Sequence, residues 1–231
     1  MTPPKLFCFG HRGACGHEPE NTIRSVRRAL ELGADGVEVD VYFADGQLVV
    51  IHDDTLARTT NGHGHVMEKP FTYLRSLDAG LGEQIPTLAE IFDAVNRRVV
   101  INVELKGLHT AAHVAALIAR YITQHGWSYD DFLISSFDHE QLRETKRLCP
   151  EIRIGALIEK TSHDLIKQMK ELDAWSLHAT TNLVSPKLVA DAHERGLKVF
   201  IYTINEPQEI ARMKMLNVDG VFSDFPDRVT N

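Results

Sequence analysis

Pro186-Lys187-Leu188-Val189-Ala190-Asp191-Ala192-His193-Glu194-Arg195 reads as an amphipathic helix, Gly196 stops it, and Lys198-Val199-Phe200-Ile201-Tyr202-Thr203-Ile204 follows as a β-rich apolar run. Proline in the first turn and glycine just past the last one, with a strand directly after, mark an αβ turn. The unit recurs along the chain on both sides. Strands are expected at Leu6–Gly10, Gly36–Val41, Val99–Leu105, Phe132–Phe137, Ile152–Ile158, Trp175–His178, Lys198–Ile204 and Gly220–Ser223. Helices are expected between them at Thr22–Leu32, Leu88–Asn96, Thr110–His125, His139–Leu148, His163–Leu172, Pro186–Arg195 and Pro207–Leu216. Near-continuous apolar strands suit a parallel sheet covered by helices. Eight of them, with no composition shift or linker between, predict a (β/α)8 TIM barrel formed as a single domain over residues 1–231. After the last strand only Pro226–Asn231 remain, enough for a short terminal helix.

Local signals support the helix ends. Gly33, Gly126 and Gly196 follow them, and Thr87 with Glu90 three residues on has capping-box spacing. One segment breaks the rhythm. Between Asp40 and Thr87, Ala44-Asp45-Gly46-Gln47 signals a hairpin turn, Leu48–His52 reads as an extra strand, and a polar stretch rich in Thr, Asn, Gly and His follows. This insertion, about residues 44–86, is expected to cross the barrel mouth. Loops that long inside a domain are usually functional.

Composition narrows the classes. The 231 residues carry a formal charge of -7, which gives no sign of a basic footprint for nucleic acid or an anionic membrane. An acidic protein that handles phosphate must attract it locally. Three cysteines, Cys8, Cys15 and Cys149, have no C-x-x-C spacing, which argues against a disulfide framework and a zinc site. The first residues have no apolar leader core, and no stretch approaches the ~20 apolar residues of a membrane span. A cytoplasmic protein without stable membrane association is expected.

In such a barrel the site lies where strands end. Strand one ends in Gly10-His11-Arg12-Gly13, strand two holds Glu38-Val39-Asp40, the inserted strand ends in His52-Asp53-Asp54, and strand three ends in Glu104-Leu105-Lys106. Glu38 and Asp40 lie two apart, so both side chains face one side of the strand; Glu104 and Lys106 repeat this. With those faces turned inward, three carboxylates and a lysine converge, and a hard cation with oxygen ligands removes the cost of burying them. Mg²⁺ or Ca²⁺ suits such donors better than zinc. The competing reading is a salt-bridge network in which Lys106 pairs with Glu104. Arg12, set among glycines, is positioned to fork onto phosphate oxygens. His11 and His52 end neighbouring strands, and imidazoles near neutral pH suit the base and acid of phosphodiester cleavage. His17 and His178 are weaker pocket candidates, and Cys15 reads as a thiol without a special role.

His11-Arg12-Gly13, Pro19-Glu20-Asn21-Thr22, Glu38-Val39-Asp40 and His52-Asp53, extended by Leu56, Arg58-Thr59-Thr60-Asn61-Gly62, Glu104-Leu105-Lys106 and Ser223-Asp224-Phe225-Pro226, together resemble the signature of glycerophosphodiester phosphodiesterases. The resemblance covers nearly the whole chain in order. It implies a TIM barrel, a divalent cation, and hydrolysis of small glycerophosphodiesters such as glycerophosphocholine or glycerophosphoethanolamine to glycerol 3-phosphate and an alcohol. It makes His11 and His52 the acid–base pair and Glu38, Asp40 and Glu104 metal ligands, with Arg12 and Lys106 near the phosphate. Glu20 takes an orienting place, Asn21 a helix-capping one, and Phe137 and Tyr202 are candidates for the pocket wall. Tyr202 stands where the family more often shows tryptophan. Two other functions fit fewer features: a phospholipase D-like transferase forming a cyclic phosphate, and a catalytically silent barrel that binds phosphodiesters or metal.

Overall fold

A computed structural model describes residues 5–160, 162 and 164–230. Its strands are β1 (Phe7–Gly10), β2 (Gly36–Ala44), β3 (Gln47–Val50), β4 (Val100–Leu105), β5 (Phe132–Ser136), β6 (Arg153–Ile158), β7 (Ser176–Thr180), β8 (Lys198–Tyr202) and β9 (Gly220–Ser223). The helices are α1 (Ile23–Glu31), α2 (Phe71–Ser76), α3 (Leu88–Val95), α4 (Thr110–His125), α5 (His139–Leu148), α6 (Leu165–Glu171), α7 (Pro186–His193), α8 (Pro207–Met215) and α9 (Pro226–Thr230). All strands except β3 are parallel, and β1 pairs with both β2 and β9, so the sheet closes into the expected eight-stranded barrel.

The side-chain period of two sorts each strand into an outer and an inner column. Along β2, Val37, Val39 and Val41 join the apolar layer beneath the helices, which leaves Glu38 and Asp40 for the lumen. Registers Glu38↔Asn102, Asp40↔Glu104 and Glu104↔Ser135 set the polar inner positions of β2, β4 and β5 side by side. Below them the lumen is plugged by Phe9, Leu133, Phe200 and Phe222, with Phe9 and Phe222 stacked at 5.0 Å. Gly36 makes room for this plug: a β-carbon there would lie 2.4 Å from the Phe9 ring. The barrel therefore has a mainly aromatic plug beneath a polar layer and an ionisable rim.

Helix ends follow local chemistry. Thr87 caps α3 through the Glu90 amide while Glu90 returns a carboxylate to the Thr87 amide, completing the expected capping box. Strand ends shift from expectation by one to three residues. β2 is longer because it continues as one arm of a hairpin with β3, turned at Asp45 and Gly46, both with positive φ. The inserted strand ends at Val50, two residues short of His52. β7 begins one residue after Trp175 and runs on to Thr180, paired with Tyr202 of β8.

The insertion is more ordered than its polar sequence suggests. It contains a short 3₁₀ turn (Val66–Glu68) and α2, and it buries Leu56, Val66, Leu74, Leu77 and Ile85 against Tyr42, Val49 and Ile51 in a core of its own. The expected start of the sixth helix at His163 lies outside the described residues, as do Met1–Pro4 and Asn231. The short terminal helix is α9. No helix among the described residues is long and apolar enough to cross a membrane.

Candidate active site

After β1 the backbone makes a tight turn in which Arg12 (φ 50°) and Gly13 (φ 83°) are both left-handed. Gly13 has no alternative, because a β-carbon would lie 2.3 Å from Ser25 Oγ. The turn brings the Arg12 amide onto Glu38 Oε2 at 2.8 Å. It also sets His11 at the mouth, where Nδ1 meets Asp224 Oδ1 at 2.7 Å. Asp224 follows β9, the strand that closes against β1, and accepts from the Cys15 thiol at 2.9 Å and from Asn205 Nδ2 at 2.7 Å. Despite burial, hydrogen bonds from His11 and Cys15 hold the Asp224 carboxyl below the usual range. A carboxylate on Nδ1 favours the tautomer with its proton there and frees Nε2.

His52 repeats the arrangement with a neighbour: its Nδ1 meets Asp53 Oδ1 at 2.6 Å. Arg58 grips Asp53 with Nε at 2.6 Å from Oδ2 and holds its carboxyl well below the usual range. The same guanidinium holds Glu20 through two 2.8 Å bonds, and Glu20 in turn accepts from Arg12 Nη1 at 2.8 Å. The insertion is thus tied to the β1 turn by a chain running His52–Asp53–Arg58–Glu20–Arg12. Burial pulls the His52 pKa below its ordinary value.

Between the histidines lie the three carboxylates. Ligand-capable oxygens of Glu38, Asp40 and Glu104 all fall within 4.8 Å of one another. Burial pushes Glu38 well above the usual carboxylate range, and the charges of Asp40 and Glu104 add to it. Glu104 is raised by burial and by Asp40. Burial also opposes the charge on Asp40, yet Lys106 and Arg12 hold its carboxyl low. Lys106 pairs with Glu104 Oε1 at 2.7 Å and lies 3.4 Å from Asp40, so the salt-bridge network is present. It does not satisfy the cluster. Glu38 Oε1 is buried with no hydrogen-bond partner, and Arg12 Nε makes no hydrogen bond, reaching Asp40 Oδ2 only as an ion pair at 3.5 Å. An all-carboxylate trio with an orphaned oxygen fits a hard divalent cation. His11, Cys15 and Asp224 also lie within 4.8 Å of one another, but their donors are spent on each other and burial raises the Cys15 thiol.

A cavity of about 220 Å³ opens over this cluster. It is lined on one side by His11, Arg12, Glu38, His52, Glu104 and Lys106, and on the other by Phe137, Leu157, Glu159 and Tyr202. His178 lies in its floor, fully buried, with Nε2 2.8 Å from Ser176 Oγ; burial pushes its pKa down to about 3. His17 does not join the cavity and pairs with Asp227 at 2.7 Å.

One reading needs correction. Asn21 does not cap α1: Thr22 does, accepting from the Ser25 amide at 3.1 Å. Asn21 instead donates to Asp40 Oδ2 at 2.8 Å and accepts from the Asp40 amide, clamping that carboxylate. Sequence reasoning also assigned no role to Asp224, Asp53, Arg58 or Asn205. Asp53 and Asp224 carry a usable signal, as ionisable residues directly after His52 and directly after the last strand.

The sequence profile described as the Glycerophosphoryl diester phosphodiesterase family matches residues 11–228. A glycerophosphodiester phosphodiesterase of Caldanaerobacter subterraneus subsp. tengcongensis is 35% identical, over 98% of this chain and 97% of the relative. One of Bacillus altitudinis is 34% identical, over 95% of each. Among solved structures, a phosphodiesterase of Oleispira antarctica in complex with the product sn-glycerol-3-phosphate has a TM-score of 0.90 at 33% identity, covering 97% of this chain and 95% of that one. On this match and these relatives, the chain belongs to the glycerophosphoryl diester phosphodiesterase family.

Proposed function

We propose that the chain hydrolyses water-soluble glycerophosphodiesters, such as glycerophosphocholine and glycerophosphoethanolamine, to glycerol 3-phosphate and an alcohol. The observation that carries this reading is the pair of aspartate-oriented histidines flanking a carboxylate trio with an orphaned oxygen. Glu38, Asp40 and Glu104 are the residues that would hold Mg²⁺ or Ca²⁺. Such a cation supplies positive charge against the phosphoryl oxygens as negative charge builds there.

The remaining work falls to the chain's own groups. Arg12 and Lys106 face the cavity and add fixed positive charge for the phosphate. Lys106 is fully charged at neutral pH, since Asp40 and Glu104 raise its pKa against the cost of burial. One histidine accepts through Nε2 a proton from the water that adds to phosphorus, and the other donates one to the departing alkoxide as its P–O bond breaks, as general acid–base catalysis requires. Asp224 and Asp53 keep both rings in the tautomer and orientation this needs. Cys8, Cys15 and Cys149 are free cysteines, in keeping with a reducing, cytoplasmic setting.

Phosphorus NMR of glycerophosphocholine incubated with the protein and Mg²⁺ or Ca²⁺ tests the proposal. Conversion to glycerol 3-phosphate and choline is expected. Accumulation of a cyclic phosphate would point to a transferase, and binding without turnover to a silent barrel; either would overturn it.

A further inference from the structure

The cavity has two ends of opposite chemistry. Its phosphate end gathers Arg12, Lys106 and both histidines around the carboxylates Glu38 and Glu104 that would hold the cation. Its other end is built from the residue after β5, the residue after β6 and the last residue of β8: Phe137, Glu159 and Tyr202. The rings of Phe137 and Tyr202 meet edge to face, with centroids 6.1 Å apart. Tyr202 is held in place by its hydroxyl, which donates to Ile158 O at 2.9 Å, next in the chain to Glu159. Burial raises the Tyr202 phenol and the Glu159 charge adds to it, so ring and carboxylate are within electrostatic reach. Glu159 is exposed, and no cation pairs with it among the described residues. Phe137 is 43% exposed although it is a large apolar side chain beside a polar cavity.

An unpaired carboxylate lining the same cavity wall as two mutually packed aromatic rings is the chemistry that holds an organic cation. We propose that this end is a subsite for a positively charged alcohol headgroup, with Glu159 as counter-charge and Phe137 and Tyr202 as π faces. The proposal rests on the hydrolase reading above and narrows it to diesters of amino alcohols. In such a substrate a two-carbon bridge separates phosphate oxygen from nitrogen, so a single cavity with a phosphate-binding end and a separate carboxylate suits both charges. A neutral polyol headgroup gains nothing from the carboxylate's charge.

The test is kcat/KM of the metal-loaded protein for glycerophosphocholine, glycerophosphoethanolamine and glycerophosphoglycerol, in wild type, Glu159→Gln, Glu159→Lys and Phe137→Ala. Wild type should favour the two cationic diesters. Glu159→Gln should lower the ratio of cationic to neutral turnover roughly ten-fold, and Glu159→Lys should lower it further. Both positions are solvent-facing, so folding is not at stake. If the substitutions depress all three substrates equally, the aromatic end holds the glycerol half and the proposal is overturned while hydrolysis stands. Absence of any preference in wild type overturns it in the same way. Failure to turn over any of the three diesters would remove the hydrolase reading, and this subsite with it.

Discussion

At the scale of single residues, each histidine depends on an aspartate that the chain supplies differently. Asp53 is the neighbour of His52, whereas Asp224 lies 213 positions from His11 and arrives only through barrel closure. The first dyad was readable in sequence as adjacent letters, the second only as a strand-end position. If the two histidines divide acid and base work, leaving-group chemistry separates them. A choline alkoxide must be protonated to depart, and losing the acid should cost about 10²–10⁴-fold, while p-nitrophenolate departs without help. With metal content held equal, one of His11→Ala and His52→Ala should recover most of its activity on a p-nitrophenyl phosphodiester, and the other should stay slow on both substrates. Recovery in neither variant would discard the division of labour. Glu38 gives a second prediction. Its folded pKa lies above its unfolded one, so above the unfolded value the native state binds more protons than the unfolded chain and stability falls as pH rises. In metal-stripped protein at neutral pH, Glu38→Gln should therefore raise the melting temperature and also shrink the gain on adding Mg²⁺ or Ca²⁺. A lower melting temperature with an undiminished metal effect would count against the cation site.

At the scale of elements, legibility tracked length and periodicity. The helix and strand before and after Gly196 announce themselves through proline, glycine and a long apolar run. The six residues of α2 are too few to show a helical period, and their place is set by tertiary contacts such as the Arg75 pairing with Glu90. Asn21 and Thr22 are adjacent and both of capping type, with Asn the better by preference, so only the position of Asp40 across the β1 turn leaves the cap of α1 to Thr22. That turn is the most demanding local structure near the site. Gly13→Ala forces a side chain into left-handed backbone and against Ser25. It should cost at least ~1–2 kcal/mol in urea unfolding and should also lower kcat, because Arg12 and His11 are positioned by the same turn. A variant with unchanged stability and activity would show that the turn has slack.

For the whole molecule, barrel closure was legible because eight similar strands alternate with helices, but the polar floor was not. His178 is legible as a pocket candidate at a strand end, whereas Asn102 and Ser135 sit on ordinary-looking strands, and only the registers reveal that they face the lumen. His178 makes stability acid-sensitive. Its folded pKa is depressed to about 3, so its stabilising contribution is complete above the unfolded value near 6.5. That contribution is lost as pH falls, by about 1.4 kcal/mol per unit, because the unfolded chain takes up a proton that the native state refuses. Below about pH 4 the depressed carboxyls of Glu20 and Asp219 add to the loss. Urea titrations between those limits should show a shallower pH slope for His178→Gln than for wild type; equal slopes would place the acid sensitivity elsewhere. The account as a whole turns on three strand-end carboxylates forming one working cation site beneath two histidines. The most direct measurement is the initial rate of glycerol 3-phosphate release from glycerophosphocholine after exhaustive chelation and on readdition of Mg²⁺ or Ca²⁺, for wild type and Glu104→Gln. The account predicts that chelation abolishes the wild-type rate, that the cation restores it, and that Glu104→Gln needs far more cation for a smaller recovery. Full activity in the chelated protein would contradict it.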